Sequence, residues 1–396
     1  MRIVHVVPTV DRGSLGQIAV NLAKQQRRLG CEAKVWCTDI EQGVRNALAE
    51  SGLREGEIVA YEAKGFPQIR YSPSMERAVN LNAGTPIDIV HQHGVWTALS
   101  RVTNKWRAIH RRPTVIAPHG SLAPIARNRS RWKKKIALMA YESENLGHAS
   151  CLHATGWLEL ESLRAYGLRN PVALIPTGVS EEWLQSTGDS ARFREGFDLP
   201  EERPIMLYLS RVTPIKGLPM LLKALANIRA RLGDWLLVIA GPDEFNHTRT
   251  ISDLVRQLSL ERWVRLVGPV YDQQKRDAFA AASFFVLPSY SESSALVVTE
   301  ALGAGLPVLT TRGTPWSELE VHNCGWWVET TVDGLANALT GITGLSQALL
   351  FEMGCRGREF VLKNSTWSQA AQKTRLLYSW LLGDAARPDF VELCGT

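Results

Sequence analysis

Short apolar runs alternate with longer amphipathic stretches along almost the whole chain. Residues 3–8 form an apolar run closed by a turn. Residues 18–29 then place Ile18, Ala19, Leu22, Ala23 and Leu29 at the spacing of one helix face, stopped by Gly30. Residues 33–37, 87–91 and 114–117 repeat the strand pattern, which restarts after Pro171 at 204–210, 235–240, 264–267, 284–288 and 307–311. Continuous apolar runs of that length, separated by helices, predict parallel sheets covered on both faces. The expected class is α/β, with two doubly wound domains joined near residues 171–182. Such sheets bind ligands beyond the carboxyl ends of their strands, so the strand-to-helix loops are where function belongs.

Composition narrows the picture. A chain of 396 residues with 45% hydrophobic and 21% charged content has the length for two full cores and excludes extensive disorder. Six cysteines are scattered without a CxxC pair, as expected in a reducing compartment. The N-terminus reads as a strand and turn, not as a signal peptide, and no run of about 18 apolar residues predicts a membrane span. A cytoplasmic protein is expected. Through Ser180 there are 24 Lys+Arg against 14 Asp+Glu, a surplus of +10; the remainder has 21 against 25, or −4. Two halves of opposite charge suit different partners.

In the second half, Arg211, Lys216 and Gly217 fall between a buried strand and a helix with apolar positions Leu218, Leu221, Leu222 and Leu225. A planar guanidinium, a mobile ammonium and a helix start with unpaired N–H groups suit a diphosphate. Two solvated loop cations are the competing reading. Downstream, Glu292 and Glu300 stand eight apart after the run 284–288. Glu300 interrupts an otherwise apolar helix, so its carboxylate needs a polar partner, and sugar or ribose hydroxyls fit because a carboxylate accepts two donors at once. The helix dipole explains an N-terminal Glu292 better than it explains Glu300.

Glu292 and Glu300, followed by Ala-Leu-Gly-Ala-Gly-Leu-Pro-Val at 301–308, resemble the signature of glycosyltransferase family 4, retaining enzymes that use nucleotide sugars and have the two-domain GT-B fold. The resemblance extends through Ser210 to Gly217, 239–242, 267–270 and 310–318, and to a closing helix over 364–378. It spans essentially the whole chain. It implies two Rossmann-like sheets facing a central cleft: an acceptor-side domain at 1–172, a donor domain at 173–370, and a helix and tail at 371–396 that pack back on the first domain. It also implies that Arg211 and Lys216 bind the donor diphosphate, helped by the backbone amides of Ala295, Leu296 and Val297. Glu300 would hold the ribose, Glu292 the donor sugar, and Val270 would lie near the base. Gly13 and Ser14 occupy the family's glycine-rich first loop, and Glu318 its last active-site loop. Where relatives often have Glu-Gly-Phe-Gly, this chain has Glu292, Ser293, Ser294 and Ala295, a loop with less backbone freedom.

His93 and His119 both end strands of the first half. A lone histidine there is usually structural, but two at neighbouring tips point to a site. The resemblance favours His119 as a contact to the donor sugar and His93 as a cleft residue. His91-x-His93 lacks further ligands at metal spacing, and no Asp-x-Asp occurs, so no metal or other cofactor is expected. The nucleotide-diphosphate sugar is the co-substrate, with UDP favoured over GDP. Arg127, Arg129, Arg131, Trp132, Lys133, Lys134 and Lys135 put six cations in nine residues ahead of an apolar stretch. That pattern suits an anionic membrane surface or a pyrophosphate-linked acceptor. No nucleic-acid module accompanies it, so no nucleic-acid partner is expected. The expectation is a transferase acting on a lipid-linked saccharide in bacterial polysaccharide synthesis, at the inner face of the plasma membrane. An epimerase or hydrolase on the same fold, and a non-catalytic sugar-binding protein, remain open on these residues.

Overall fold

The computed structural model describes residues 1–396 apart from 11–13, 40, 67, 82–85, 129–130, 186 and 396, and it describes Ser14, Glu41, Glu50, Asn80, Leu81, Ile125, Asn128 and Arg131 by their backbone alone. The chain forms two compact units, Met1–Gly178 with Trp367–Thr396, and Val179–Thr366. The crossings fall at Gly178 and Trp367, where the sequence suggests 173 and 371. Ile175 and Trp367 both bury their side chains in the first core, which sets these limits.

In the first unit, strands β1 (Arg2–Val7), β2 (Glu32–Cys37), β3 (Ile58–Ala60), β4 (Ile89–His93), β5 (Thr114–Ala117), β6 (Cys151–Ala154) and β7 (Val172–Leu174) run parallel in the order β7-β6-β5-β4-β1-β2-β3. Both faces are covered, so Ile3, Val4, Val6 and Val7 of β1 are all buried. His5, His91, His93 and His153 are buried in the same strands, which carry polar rings through an apolar layer.

The second unit holds β8 (Ile205–Leu209), β9 (Leu236–Ala240), β10 (Val264–Gly268), β11 (Phe284–Leu287), β12 (Val308–Thr311) and β13 (Gly325–Val328), parallel in the order β10-β9-β8-β11-β12-β13. The chain winds outward from β8 to β10, then jumps back to β11 beside β8 and winds the other way. Beyond Thr366 the chain rejoins the first unit. The helix Trp367–Leu381 packs on the helix Ser14–Arg28, and β14 (Val391–Glu392) pairs antiparallel with β7, Val391 opposite Ala173.

Candidate active site

The reversal of winding puts the carboxyl ends of β8 and β11 side by side, with their loops leaving in a common crevice. The two loops touch through backbone. The Tyr290 N–H donates to the carbonyl of Ile215 at 2.9 Å. Gly217 has φ +72°, and a Cβ there would lie 1.9 Å from the carbonyl oxygen of Pro288, so only glycine fits.

Charge is concentrated at this crossing. Lys216 Nζ lies 2.5 Å from Glu292 Oε1, and the Ser289 hydroxyl donates to the same oxygen at 2.6 Å. The Glu292 N–H donates to the carbonyl of Gly313, which ties the β11 loop to the β12 loop. Lys216 and Glu292 side chains are 9% and 13% exposed, so this ion pair is nearly enclosed. A second pair stands on the helices: Lys275, from Asp272–Ala281, donates to both oxygens of Glu300, from Leu296–Gly303. Arg211 is turned to Glu244 at 2.6 Å, and its side chain is 56% exposed. Ala295 caps the helix Leu296–Gly303 at φ 50°, ψ 60°, a left-handed conformation for a residue with a Cβ. The first amides of that helix lack intrahelical partners, as at any helix start. Trp316 anchors the turn by donating its indole N–H to the carbonyl of Ser294.

The first unit gathers its own polar cluster at the carboxyl ends of β4 and β5. His119 follows β5 at φ 50°, and its Nε2 lies 3.0 Å from His93 Nδ1. His93 Nε2 is 2.9 Å from His5 Nδ1, and His91 contacts Tyr378 and His153. Burial lowers all five histidines, to about 4 for His5 and His153, so the rings are neutral at pH 7. Two buried carboxylates hold the adjoining loops. Glu159 accepts from the Gly120 N–H and from the Thr155 N–H and hydroxyl, and Glu142 accepts from the Trp96 N–H and the Ser100 hydroxyl. Burial raises the pKa of both glutamates.

Residues 13–178 match the family model for a glycosyl transferase 4-like domain, and residues 189–343 match that for glycosyl transferases group 1. The chain belongs to glycosyltransferase family 4. It is 26% identical to D-inositol 3-phosphate glycosyltransferase 2 of Catenulispora acidiphila, over 98% of this chain and 95% of that one. It is 24% identical to the GDP-mannose:cellobiosyl-diphosphopolyprenol alpha-mannosyltransferase of Komagataeibacter xylinus, over 97% and 94%. Among solved structures, Anabaena HepE in complex with UDP and glucose superposes with a TM-score of 0.77 at 17% identity, covering 96% of this chain and 99% of that one. The fold is GT-B, and the protein is a glycosyltransferase.

Within this glycosyltransferase, the residues singled out from sequence fall into distinct groups. Lys216 and Glu292 meet directly, with Ala295 at the head of the neighbouring helix. Glu300 has its polar partner in Lys275, which sequence reasoning passed over, as it did Ser289 and Glu244. Lys275 opens no motif and looks like an ordinary helix-surface lysine; its signal is the apolar helix carrying Glu300, which needs a cation nearby. Val270 is buried just after β10, and Leu296 and Val297 start their helix. Glu318 begins the helix Glu318–Val321, half exposed and 3.4 Å from His322. Gly13 and Arg129 lie outside the described residues. Ser14 starts its helix, and nothing is described of its side chain or that of Arg131. The basic stretch divides: Trp132, Lys133 and Lys135 are exposed, whereas Lys134 donates to the carbonyl of Ala126 and lies 5.5 Å from the Trp96 ring. Arg127 stacks over Tyr166 at 5.3 Å.

Proposed function

We propose that this glycosyltransferase moves a sugar, with retention, from a nucleotide-diphosphate sugar to a hydroxyl of a lipid-linked saccharide at the cytoplasmic face of a membrane. The observation that carries the reading is the pair of lysine-held carboxylates, Lys216–Glu292 and Lys275–Glu300, beside the β8/β11 crossing. A nucleoside diphosphate supplies what such a crevice lacks: anionic oxygens for Lys216, Arg211 and the amides of Ala295, Leu296 and Val297, and ribose hydroxyls for Glu300. Val270 lines the base. Glu292 receives hydroxyls of the donor sugar once Lys216 turns to phosphate, and His119 contributes a further sugar contact. In the reaction the bond from the anomeric carbon to the diphosphate breaks. The acceptor oxygen bonds to that carbon on the same face, and its proton passes to the departing diphosphate oxygen. The cations and amides stabilise the charge that develops there, without a metal. HepE was solved with UDP and the Komagataeibacter enzyme is named for GDP-mannose, so both bases have precedent among similar proteins; UDP is favoured here.

The acceptor half of the reading draws on the exposed Trp132, Lys133, Lys135, Ile136 and Met139 and on the polyprenol-linked acceptor named for the Komagataeibacter protein. Among the described residues no helix is long and apolar enough to cross a membrane, so attachment would be peripheral. Calorimetric titration of UDP and GDP, each with and without EDTA, on wild type and Glu300→Ala tests the donor site. Metal-independent binding of one nucleotide, weakened by the substitution, is the expected result; binding of neither would overturn the reading.

A further inference from the structure

Five histidines of the first unit form, with Gln26 and Tyr378, one hydrogen-bonded chain in which every donor is fixed by its partners. A backbone carbonyl can only accept, so two carbonyls set the direction. At one end His153 Nε2 lies 2.8 Å from the carbonyl of Ile175 and must carry the proton. In the neutral ring Nδ1 is then bare, and it accepts from His91 Nε2 at 3.3 Å. That leaves His91 Nδ1 bare to accept the Tyr378 hydroxyl proton at 2.7 Å. The second anchor is Ala371, whose carbonyl takes the Thr374 hydroxyl proton. Thr374 therefore offers only a lone pair to Gln26, 3.0 Å away, and the atom facing it is the amide nitrogen. The opposite end of that amide, Oε1, accepts from His5 Nε2 at 2.8 Å. His5 Nδ1 then accepts from His93 Nε2 at 2.9 Å, and His93 Nδ1 from His119 Nε2 at 3.0 Å. All five rings are the same Nε2–H tautomer. The Nδ1 of His119 is left over, with no partner among the described residues, and His119 is the partly exposed member of the chain.

We infer that Gln26, His5 and His93 are positioning residues that hold His119 as a hydrogen-bond acceptor, its Nε2 proton committed inward and its Nδ1 lone pair presented to a hydroxyl of the saccharide substrate. The identity of that hydroxyl's owner rests on the proposed transferase reading; the tautomer does not. A ring free to choose would present N–H or lone pair by turns. This one is pinned through four hydrogen bonds to a threonine on the helix that returns from the second unit. The same bonds argue against an ion: His5, His91 and His93 offer ring nitrogens within 4.8 Å of one another, but a metal would have to displace N–H and O–H donors from those lone pairs.

The test is a long-range proton–nitrogen correlation spectrum of ligand-free protein carrying nitrogen-15 histidine, near pH 7.5, with each ring assigned by single substitution. Five neutral Nε2–H rings are expected. A proton on His119 Nδ1, an imidazolium at His119, or a stoichiometric metal by elemental analysis would overturn the inference. In Gln26→Leu the His119 ring is expected to lose its single tautomer while His153, anchored at Ile175, keeps its own. Transfer should then fall about tenfold, the worth of one hydrogen bond. Thr374→Val removes the second anchor and serves if Gln26→Leu does not fold; an unchanged His119 tautomer in the folded variant refutes the positioning role. Since the spectrum needs no donor, a protein that shows the tautomers but binds no nucleotide would refute only the proposed function.

Discussion

The ammonium of Lys275 lies 2.6 and 2.7 Å from the two oxygens of Glu300, so one lysine holds the whole carboxylate. Trp183 braces both partners: its ring lies 5.3 Å from Lys275 Nζ, and its indole N–H donates to the Glu300 carbonyl. A glutamate aimed this way can receive ribose hydroxyls without searching for its orientation. Lys275→Ala and Glu300→Ala are each expected to raise the nucleotide Kd about tenfold, and the double variant little more. The resulting coupling would be about 1 kcal/mol in a calorimetric double-mutant cycle. Fully additive losses would mean that the two residues act independently.

Lys216 and Arg211 differ in what their removal leaves behind. Lys216→Ala strands Glu292 in a nearly enclosed position with Ser289 as its remaining side-chain donor, which should cost about 3 kcal/mol of stability. The Arg211–Glu244 pair is open to solvent, so Arg211→Ala should change stability by under about 0.5 kcal/mol. Both should weaken nucleotide binding. Urea unfolding curves alongside UDP titrations separate the two effects, and equal stability losses would contradict the burial argument.

Ala295 is held at φ 50° at the start of the helix Leu296–Gly303. A left-handed backbone costs a residue with a Cβ about 1 kcal/mol, and glycine recovers that less its greater freedom when unfolded. Ala295→Gly should therefore stabilise by about 0.5 kcal/mol or be neutral, while Ala295→Val should destabilise by more than about 1 kcal/mol and weaken nucleotide binding. Thermal unfolding of the two variants decides it; a tolerated valine would show that the strain is relieved elsewhere.

Apolar runs make most of the two sheets legible in the sequence. The runs 204–210, 235–240 and 284–288 became β8, β9 and β11 within a residue or two, because buried parallel strands are written as uninterrupted apolar stretches. β3 and β14 were not legible, and β6, β7 and β13, of three or four residues each, were not legible as strands either. Three residues with one buried side chain, and two residues paired at an edge, are too short to show a period. Glu300 announced itself as a carboxylate in an apolar helix, but its partner could not be named, since Lys275 arrives from a different helix. The histidines of β1, β4 and β6 showed the same limit. His5 and His153 sit in unremarkable strands, and only the strand order β6-β5-β4-β1 brings their rings to one face.

Neutral buried histidines make stability depend on pH. His5 and His153 titrate near 4 in the folded chain against 6.5 for the free side chain, because burial disfavours the charged ring. Between those values the unfolded chain binds more protons, so the stabilisation is complete above pH 6.5 and is lost as pH falls towards 4. Each ring contributes a slope of about 1.4 kcal/mol per pH unit in that window. Glu142 and Glu159, raised by burial, act in the opposite sense and flatten the fall. Denaturant unfolding at pH 7.5, 6 and 5 should show decreasing stability, with a shallower slope in His5→Asn. A flat profile in the wild type would mean that the rings are charged or hydrated in the fold.

Trp132, Ile136 and Met139 are 66%, 54% and 72% exposed, and their spacing puts them on neighbouring turns of one helical segment. Large apolar side chains in water are unfavourable, and three together beside the exposed Lys133 and Lys135 are what the proposed peripheral attachment would bring to a lipid interface. Each lysine near an anionic surface adds about 1 kcal/mol, attenuated by salt, while the apolar trio contributes independently of salt. Sedimentation with phosphatidylglycerol vesicles should therefore show binding that weakens with added salt. Replacing Lys133 and Lys135 by Glu should lower the affinity and reduce its salt dependence, whereas replacing the apolar trio by Ala should lower it at every salt concentration. None of the five side chains is buried, so these variants should fold as the wild type does. Equal pelleting of all three proteins would mean that the segment is a solvated face and that the acceptor is reached without docking on lipid.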